Sequence, residues 1–272
     1  MKSYQSALKE HLAKYKSFRL GVDQPGLFER NGRAYKHILP ADLRNLNFLE
    51  SIRGEMKSYL RSHREVRPHK YFHHLNSSQA LTFNLFFPFF ASGGSDARAL
   101  SEALGVPGIP EEWHFEYVPD KREGTNVDVA WRSESDTWVF CEVKLSESDF
   151  GLANADARHE RKLRQIYLPR LENIVSNDLL EFRTFRLHYQ ILRNISLLST
   201  YDASHIIFLL PRENEVLQPP LQEVVAHLTA SVRDRVHIAY LEEVLRAVRQ
   251  SDDLSPVKKV CAGQLAEKYV VR

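Results

Sequence analysis

The chain has 272 residues, of which 43% are hydrophobic and 26% are charged. This composition excludes a disordered chain and supplies enough apolar material for a large core. Thirty-seven basic residues against 35 acidic ones leave a formal charge of +2, so the overall charge favours neither a polyanion nor a small substrate as partner. Only local clusters of charge can decide between them.

Two cysteines, Cys141 and Cys261, are too few for a disulfide framework or a cysteine-based zinc site. The first residues include Lys9 and Glu10 and lack the apolar core of a signal peptide. No run approaches the roughly 20 apolar residues that a membrane span needs. We therefore expect a cytoplasmic protein with no membrane partner.

In the N-terminal part, apolar residues at helical spacing predict two amphipathic helices, over 4–18 and 46–60. Residues 21–40 between them contain three glycines and two prolines without a sustained period, which predicts a loop or an arm. We interpret residues 1–74 as an N-terminal helical extension.

Polar residues 76–78 can cap a mostly buried helix over 80–90, and a second short helix over 95–104 is predicted with Ser95 as its cap. After residue 104 the apolar residues recur at every second position, the period of a strand. Three apolar segments separated by turn residues predict a three-stranded antiparallel meander over 114–118, 126–131 and 137–145.

Helical periodicity returns over 158–175 and 179–198, and residues 204–210 form an apolar run typical of a buried strand. The remaining segments are predicted as a helix beginning near Pro219, a short strand over 236–239, and helices over 241–248 and 256–269. We expect one domain over 1–272, with its core in 75–211 and a C-terminal strand and helices in 212–272.

Charged side chains interrupt two neighbouring strands of the meander. Glu142 and Lys144 share one strand face because alternate side chains point the same way, whereas Cys141 points into the core. The hairpin can bring Asp128 beside Glu142. Two adjacent carboxylates require a cation, and hard oxygen ligands suit Mg²⁺. Lys144 can orient or deprotonate an attacking water and offset phosphate charge, which predicts phosphodiester hydrolysis.

Acid-x-Lys is a short pattern, and it also occurs at 55–57 and 160–162. Both of those fall in helical segments without a partner strand. Only residues 142–144 lie on an apolar strand that follows another apolar strand with a central aspartate. The alternative is a solvated Glu–Lys pair on an exposed sheet face, which stabilises little.

Asp128, a hairpin and then Glu142-x-Lys144 resemble the PD-(D/E)XK, or restriction-endonuclease-like, nuclease superfamily. Residues 76–84 and 189–194 are similar to segments of a prokaryotic branch of it, and the likeness covers roughly 75–210. The resemblance implies an α/β fold with a restriction-endonuclease-like core of helix, three-strand meander, helix and strand. Extra N- and C-terminal helices would extend it.

By this resemblance, Asp128 and Glu142 would be metal ligands together with the carbonyl of Val143. Lys144 would serve the nucleophilic water, and Gln190 would join the catalytic group. The cofactor would be Mg²⁺, with Mn²⁺ as a substitute. The partner would be DNA, and the enzyme could act as a homodimer.

The sequence departs from the pattern in two places. Val127 replaces the proline of the motif, at a position that varies widely in the superfamily. Many members add a glutamate from the first core helix, but here that helix has no acid, and Gln79 is the nearest polar substitute. Glu116 on the first strand is either the missing carboxylate or an edge-facing charge.

Gln190, Arg193 and Asn194 stand at i, i+3 and i+4 and share one helix face, which either packs over the site or is solvated. Basic residues are clustered in 61–70 and 158–170 and are suited to phosphate contact, although many surface helices look the same. The residues predicted to contact nucleic acid are Gln79, Arg193, Arg161, Lys162 and Arg164.

The pattern as a whole predicts a Mg²⁺-dependent endonuclease that hydrolyses DNA in restriction, defence or repair. One alternative is a catalytically inactive nucleic-acid-binding or structural module on the same fold. Another is an unrelated α/β enzyme in which Asp128 and Lys144 serve different chemistry.

Overall fold

The computed structural model describes residues 3–271, a mixed α/β fold of twelve α-helices and seven strands within that range. The α-helices are α1 (Tyr4–Leu20), α2 (Arg53–Ser62), α3 (Ser78–Phe90), α4 (Gly94–Ala103), α5 (Ala157–Lys162), α6 (Leu168–Leu171), α7 (Phe182–Leu187), α8 (Tyr189–Ile195), α9 (Gln218–Ala226), α10 (Ala230–Arg233), α11 (Leu241–Gln250) and α12 (Pro256–Tyr269). The strands are β1 (Gly26–Phe28), β2 (Arg33–Tyr35), β3 (Pro110–Tyr117), β4 (Val127–Ser133), β5 (Trp138–Val143), β6 (His205–Leu210) and β7 (Val236–Tyr240).

Five strands form one mixed sheet in the order β3-β4-β5-β6-β7. The first three pair antiparallel, which confirms the predicted meander. Strand β6 pairs parallel to β5, and β7 pairs parallel to β6. The chain between β5 and β6 is helical, as a parallel connection requires. Strands β1 and β2 form a separate small hairpin.

Each face of the sheet carries its own apolar cluster, as expected for a sheet buried on both sides. Side chains of Trp131, Cys141 and Leu209 belong to one cluster, which they share with α3, α11, α12 and residues of the first 74 positions. Phe140 and Phe208 belong to the other, which they share with the helices between β5 and β7. The N-terminal residues therefore help to build the core beneath the sheet.

Helix α3 is apolar on all sides, and Ala80 to Phe90 are all buried, the typical environment of such a helix. Its N-terminus is capped by Ser77, whose Oγ accepts a hydrogen bond from the amide of Ala80 at 3.3 Å. This confirms the cap predicted within residues 76–78. The cap fixes the start of the helix that lies directly beside the meander.

Two features predicted for the chain before the meander differ in the structure. Residues 21–40 contain the β1–β2 hairpin, because Phe28 packs edge-on against the rings of Tyr71 and His74 at 5.3 and 5.2 Å. Helix α4 is preceded by Gly93 as its N-cap in place of Ser95. Gly93 has φ of +68°, a backbone conformation that favours glycine over serine.

The helices between β5 and β6 are shorter than predicted. The first runs from α5 through a π-helical segment, Leu163–Tyr167, into α6 and ends at Leu171. The second is interrupted at His188, between α7 and α8. In one continuous helix the side chains of Phe185 and Gln190 would point about 140° apart. The interruption lets Phe185 pack in the apolar cluster while Gln190 contacts Glu142.

No helix within residues 3–271 has the length and apolar character needed to cross a membrane. The longest, α1, exposes charged and polar side chains along its length.

Trp131 provides a test of the packing beneath the sheet. Its ring is fully buried, lies 5.2 Å from Phe90 and 6.0 Å from Phe86, and its indole N–H has no hydrogen-bond partner among residues 3–271. We expect Trp131→Ala to lower the free energy of unfolding by about 3–5 kcal/mol in urea denaturation, because it leaves a cavity. Trp131→Phe should cost less, since it keeps an aromatic ring and removes the unpaired N–H. Equal losses in the two variants would contradict this account.

Candidate active site

Three carboxylates stand in one row across β3, β4 and β5. The pair Val129↔Cys141 is the last of the β4–β5 register, so continuing it by one residue sets Asp128 opposite Glu142. On the other side, Glu116 lies opposite Asp128, between registered pairs of the β3–β4 ladder. We call Glu116, Asp128 and Glu142 the carboxylate row.

The ladder is irregular along this row. The Val143 amide donates to Oδ2 of Asp128 at 2.7 Å, a side-chain contact where regular pairing would use the backbone. Glu116 has φ of +51°, an uncommon conformation for a residue with a side chain. Strained backbone of this kind is concentrated at functional sites.

Four donors surround the buried carboxylate of Glu142. Lys144 Nζ and Gln190 Nε2 donate to Oε1 at 3.0 and 2.6 Å. Arg193 Nη2 and Asn194 Nδ2 donate to Oε2 at 3.2 and 3.0 Å. The alternative of a solvated Glu–Lys pair on an exposed sheet face is therefore wrong, because Glu142 is only 3% exposed.

Helix α8 supplies three of these donors from one face. Gln190, Arg193 and Asn194 occur at the predicted i, i+3 and i+4 spacing. Arg193 and Asn194 are buried, so the solvated-face alternative is wrong for them. Asn194 also accepts from the guanidinium of Arg193 at 3.0 Å, which fixes the two side chains together.

Gln190 connects Lys144 to Glu142. Its Oε1 accepts from Lys144 Nζ at 2.9 Å while its Nε2 donates to Glu142. Gly151 has φ of +97°, and a Cβ atom there would lie 3.0 Å from Oε1 of Gln190. A side chain at this position would strain the backbone and push the Gln190 amide aside by a few tenths of an ångström, a role of Gly151 that no pattern in the sequence indicated.

The charges within the site compensate one another. Burial acts to raise the pKa of Glu142, but Lys144 and then Arg193 outweigh it and hold that pKa below the usual value. Burial acts to lower the pKa of Lys144, but the Glu142 and Asp128 carboxylates raise it above that of a free lysine. Glu142 is thus an anion and Lys144 a cation near neutral pH.

Asp128 is compensated only in part. Burial and the negative charge of Glu142 raise its pKa well above the usual value, more than Lys144 and the Val143 amide lower it. Its Oδ1 accepts no hydrogen bond from the residues that the structure describes. A further positive charge placed next to Asp128 would lower this pKa and so offset the two causes of the shift.

Glu116 is held by two amides. Gln79 Nε2 donates to Oε1 at 2.7 Å, and the amide of Asn126 donates to Oε2. Burial raises the pKa of Glu116 despite the hydrogen bond from Gln79, and Glu142 raises it further. Glu116 is therefore half-buried and hydrogen-bonded within the row, although its strand β3 is at the edge of the sheet.

The basic residues predicted to contact nucleic acid lie in different environments. Lys162 is paired with Glu123, whose pKa is about 2 because hydrogen bonds from Tyr167 and Thr125 and the Lys162 charge outweigh its burial. Arg164 pairs with Glu160 on the surface at 2.6 Å. Arg161 is exposed, and among these three it alone has no ion pair within the described range.

Within residues 3–271, no three His, Cys, Asp or Glu side chains are grouped so as to form a metal site. The predicted ligand set contains only two such side chains, Asp128 and Glu142, with the Val143 carbonyl as its third member.

Arg193 tests the compensation of Glu142. Removing one partner of a buried ion pair leaves an uncompensated charge, so Arg193→Ala should lower the free energy of unfolding by about 3–5 kcal/mol at pH 7. Because the pKa of Glu142 is lowered in the fold, its pairing stabilises above pH ~4 and is lost as the pH falls through the folded value. The loss in Arg193→Ala should therefore shrink in acid.

Urea denaturation at several pH values measures this effect. Arg164→Ala, which removes an exposed arginine in a surface pair, should change stability by less than about 0.5 kcal/mol. A similar loss in the two variants would indicate that Arg193 is not needed to compensate Glu142.

A comparison with known families identifies the group to which the chain is related. A family model described as restriction endonuclease associating with ARP matches residues 9–270. No curated protein and no solved structure shows a significant match. The match covers nearly the whole chain and agrees with the resemblance to restriction-endonuclease-like proteins that the sequence indicated. The chain therefore belongs to the family of restriction endonucleases associating with ARP.

Proposed function

We propose that the protein is a Mg²⁺-dependent endonuclease that hydrolyses DNA phosphodiester bonds, in a restriction, defence or repair context. The observation that carries this proposal is the carboxylate row with the Lys144 ammonium fixed beside it. Membership of a restriction-endonuclease family supports the same chemistry. Hydrolysis would proceed without a covalent intermediate.

The nuclease core in this proposal consists of α3, β3–β5, the helices α5–α8 and β6. Their order along the chain is helix, meander, helices and strand, the order that the superfamily resemblance implies. The site lies at the end of β5, where the chain leaves the sheet after Val143. The N-terminal residues and the C-terminal strand and helices would extend this core.

The residues suit a hard divalent cation. Asp128 offers an oxygen without a hydrogen-bond partner among the described residues, and burial and the Glu142 charge raise its pKa, which a bound cation would lower. Glu142 and the carbonyl of Val143 would complete the set. The bound ion would lower the pKa of a water and neutralise charge on the phosphate. Mn²⁺ would substitute for Mg²⁺.

Lys144 would act as a fixed positive charge. Its raised pKa makes it a poor proton acceptor near neutral pH, which disfavours the predicted role as a base. Its hydrogen bonds to Glu142 and Gln190 fix the position of the ammonium. The ammonium would orient the attacking water and stabilise the charge that develops on the phosphate oxygens.

Contacts to the DNA backbone are assigned to exposed basic side chains. Arg161 is exposed and forms no ion pair within the part of the chain that the structure describes, whereas Lys162 and Arg193 pair with buried carboxylates and act indirectly. Family membership adds a further proposal, that this chain also works with an ARP partner. Assembly as a homodimer remains a prediction.

An inactive nucleic-acid-binding module is the second candidate. The observation that favours it is the set of four donors on Glu142, which occupies both carboxylate oxygens. For Glu142 to ligate an ion, at least one of these hydrogen bonds has to be exchanged. Such a module would bind DNA in a salt-sensitive manner without cutting it.

Cleavage of supercoiled plasmid tests the first candidate. We expect nicking with Mg²⁺ or Mn²⁺, no nicking with EDTA, and a loss of roughly 10²–10³-fold in rate for Lys144→Ala, because the fixed charge near the phosphate is removed. Lys259→Ala, which removes an exposed lysine of α12, is the matched control and should cleave normally. Full activity of Lys144→Ala would exclude this site, and DNA binding without cleavage would favour the inactive module.

Thermal unfolding tests the metal separately from activity. A ligand present at 100 times its dissociation constant stabilises the folded state by about 2.7 kcal/mol, so Mg²⁺ should raise the melting temperature of the wild-type protein relative to EDTA. Asp128→Asn should abolish this increase because it removes a ligand charge. The same increase in both proteins would show that Asp128 does not bind the ion.

A further inference from the structure

An open cleft of about 560 Å³ lies beside the candidate active site, within the size range of small-ligand sites. Glu116 and Asn126 line the end nearest the carboxylate row. The rings of His69, Tyr71 and His74 line another part of the wall. We call this space the aromatic cleft.

Its aromatic wall can accept a flat ligand. The Tyr71 ring lies 5.2 Å from His69 and 5.1 Å from His74, and Lys70 Nζ lies 4.6 Å from the centre of the Tyr71 ring. Burial and the neighbouring histidines lower the pKa of His74 to about 4, so this ring is uncharged near neutral pH. Uncharged ring faces bind planar groups by stacking.

The cleft also has a polar lining. Besides the rings, it is lined by Asn76, Ser77, Ser78, Gln79 and Asn126. The Asn76 amide donates to Ser146 Oγ at 2.8 Å, which fixes its direction. Amide and hydroxyl side chains beside an aromatic wall suit a planar ligand with a polar edge.

The cleft connects a basic segment to the carboxylate row. Gln79 accepts from the His69 amide at 2.7 Å and donates to the Arg67 carbonyl at 3.1 Å and to Glu116 at 2.7 Å. Three arginines of the adjoining segment, Arg61, Arg64 and Arg67, are exposed. A ligand in the cleft would therefore lie between side chains suited to phosphates and the proposed site of hydrolysis.

We propose that the aromatic cleft binds one unpaired nucleobase of the strand whose backbone passes the carboxylate row. A nucleobase is planar, has a polar edge and is attached to an anionic chain, which together match the rings, the polar side chains of the cleft and the exposed arginines of residues 61–67. The inference rests on the proposed function, because it takes the substrate to be a nucleic acid. It adds that the strand is single-stranded or locally unpaired at this point.

The probe is a single-stranded oligothymidine that carries one 2-aminopurine, moved through successive positions, and titrated with protein in EDTA so that no cleavage occurs. Stacking should quench the 2-aminopurine fluorescence at one position or a few adjacent ones. Tyr71→Ala should abolish this quenching and weaken binding about tenfold, as loss of a base–aromatic stack does. Tyr71→Phe should behave like the wild type.

Two further variants keep the test interpretable. Ser78→Trp fills the cleft from the first turn of α3 without removing any packing, and it should also abolish quenching. Tyr35→Ala is the matched control: Tyr35 packs on Phe28 as Tyr71 does, at 6.3 Å, but lies outside the cleft, so this variant should keep quenching. Thermal unfolding of each variant establishes that it is folded.

The outcomes separate this inference from the proposed function. Unchanged quenching in folded Tyr71→Ala or Ser78→Trp would overturn the cleft as the base site, as would tight binding without quenching at any position. Failure to bind the oligothymidine would overturn the cleft proposal, and nicking of plasmid by the same protein would then leave the catalytic proposal standing. Quenching by a protein that cleaves nothing with Mg²⁺ or Mn²⁺ would support the cleft and remove the catalytic proposal alone.

Discussion

The charge of Glu142 is the constraint on which the site depends. A carboxylate buried at the end of a central strand is unfavourable unless positive groups and hydrogen-bond donors surround it. Lys144, two residues further along the same strand direction, supplies one charge, and Arg193 supplies the other from α8. Helix α8 brings Gln190 and Arg193 to this one carboxylate, and Gly151 adjoins the Gln190 amide.

Strand pairing in the sheet determines which side chains lie next to one another in the site. Because β3, β4 and β5 pair antiparallel, the β3–β4 and β4–β5 registers together set Glu116, Asp128 and Glu142 side by side, although each is on a different strand. The pKa of Glu142 is lowered by Lys144 and Arg193, whereas that of Asp128 is raised because burial and the Glu142 charge outweigh Lys144. Among the described residues, four donors contact Glu142, but Oδ1 of Asp128 accepts no hydrogen bond. In the proposed function this difference makes Asp128 the side chain with an oxygen open to an ion and Glu142 the one whose hydrogen bonds would have to rearrange.

Family membership and the site geometry are independent support for the same proposed chemistry. The family model matches nearly the whole chain and gives the class of protein, whereas the carboxylate row gives the positions of individual side chains. The aromatic cleft also involves the N-terminal residues, since His69, Tyr71 and His74 precede α3 and line the same cleft as Glu116. In this view the first 74 residues complete the core beneath the sheet and also shape the approach to the site.

The sequence by itself determined the features that depend on local periodicity. The alternation of apolar residues in the meander, the cap before α3 and the i, i+3, i+4 spacing of Gln190, Arg193 and Asn194 were all readable from neighbouring residues. Tertiary structure decided what each polar face would contact. Contacts between residues distant in the chain decide that α8 covers Glu142 and does not face solvent. Such contacts also pair Lys162 with Glu123 and pack the β1–β2 hairpin against Tyr71. Local patterns cannot specify such contacts, because pairing and burial are properties of the packed molecule and not of a single segment.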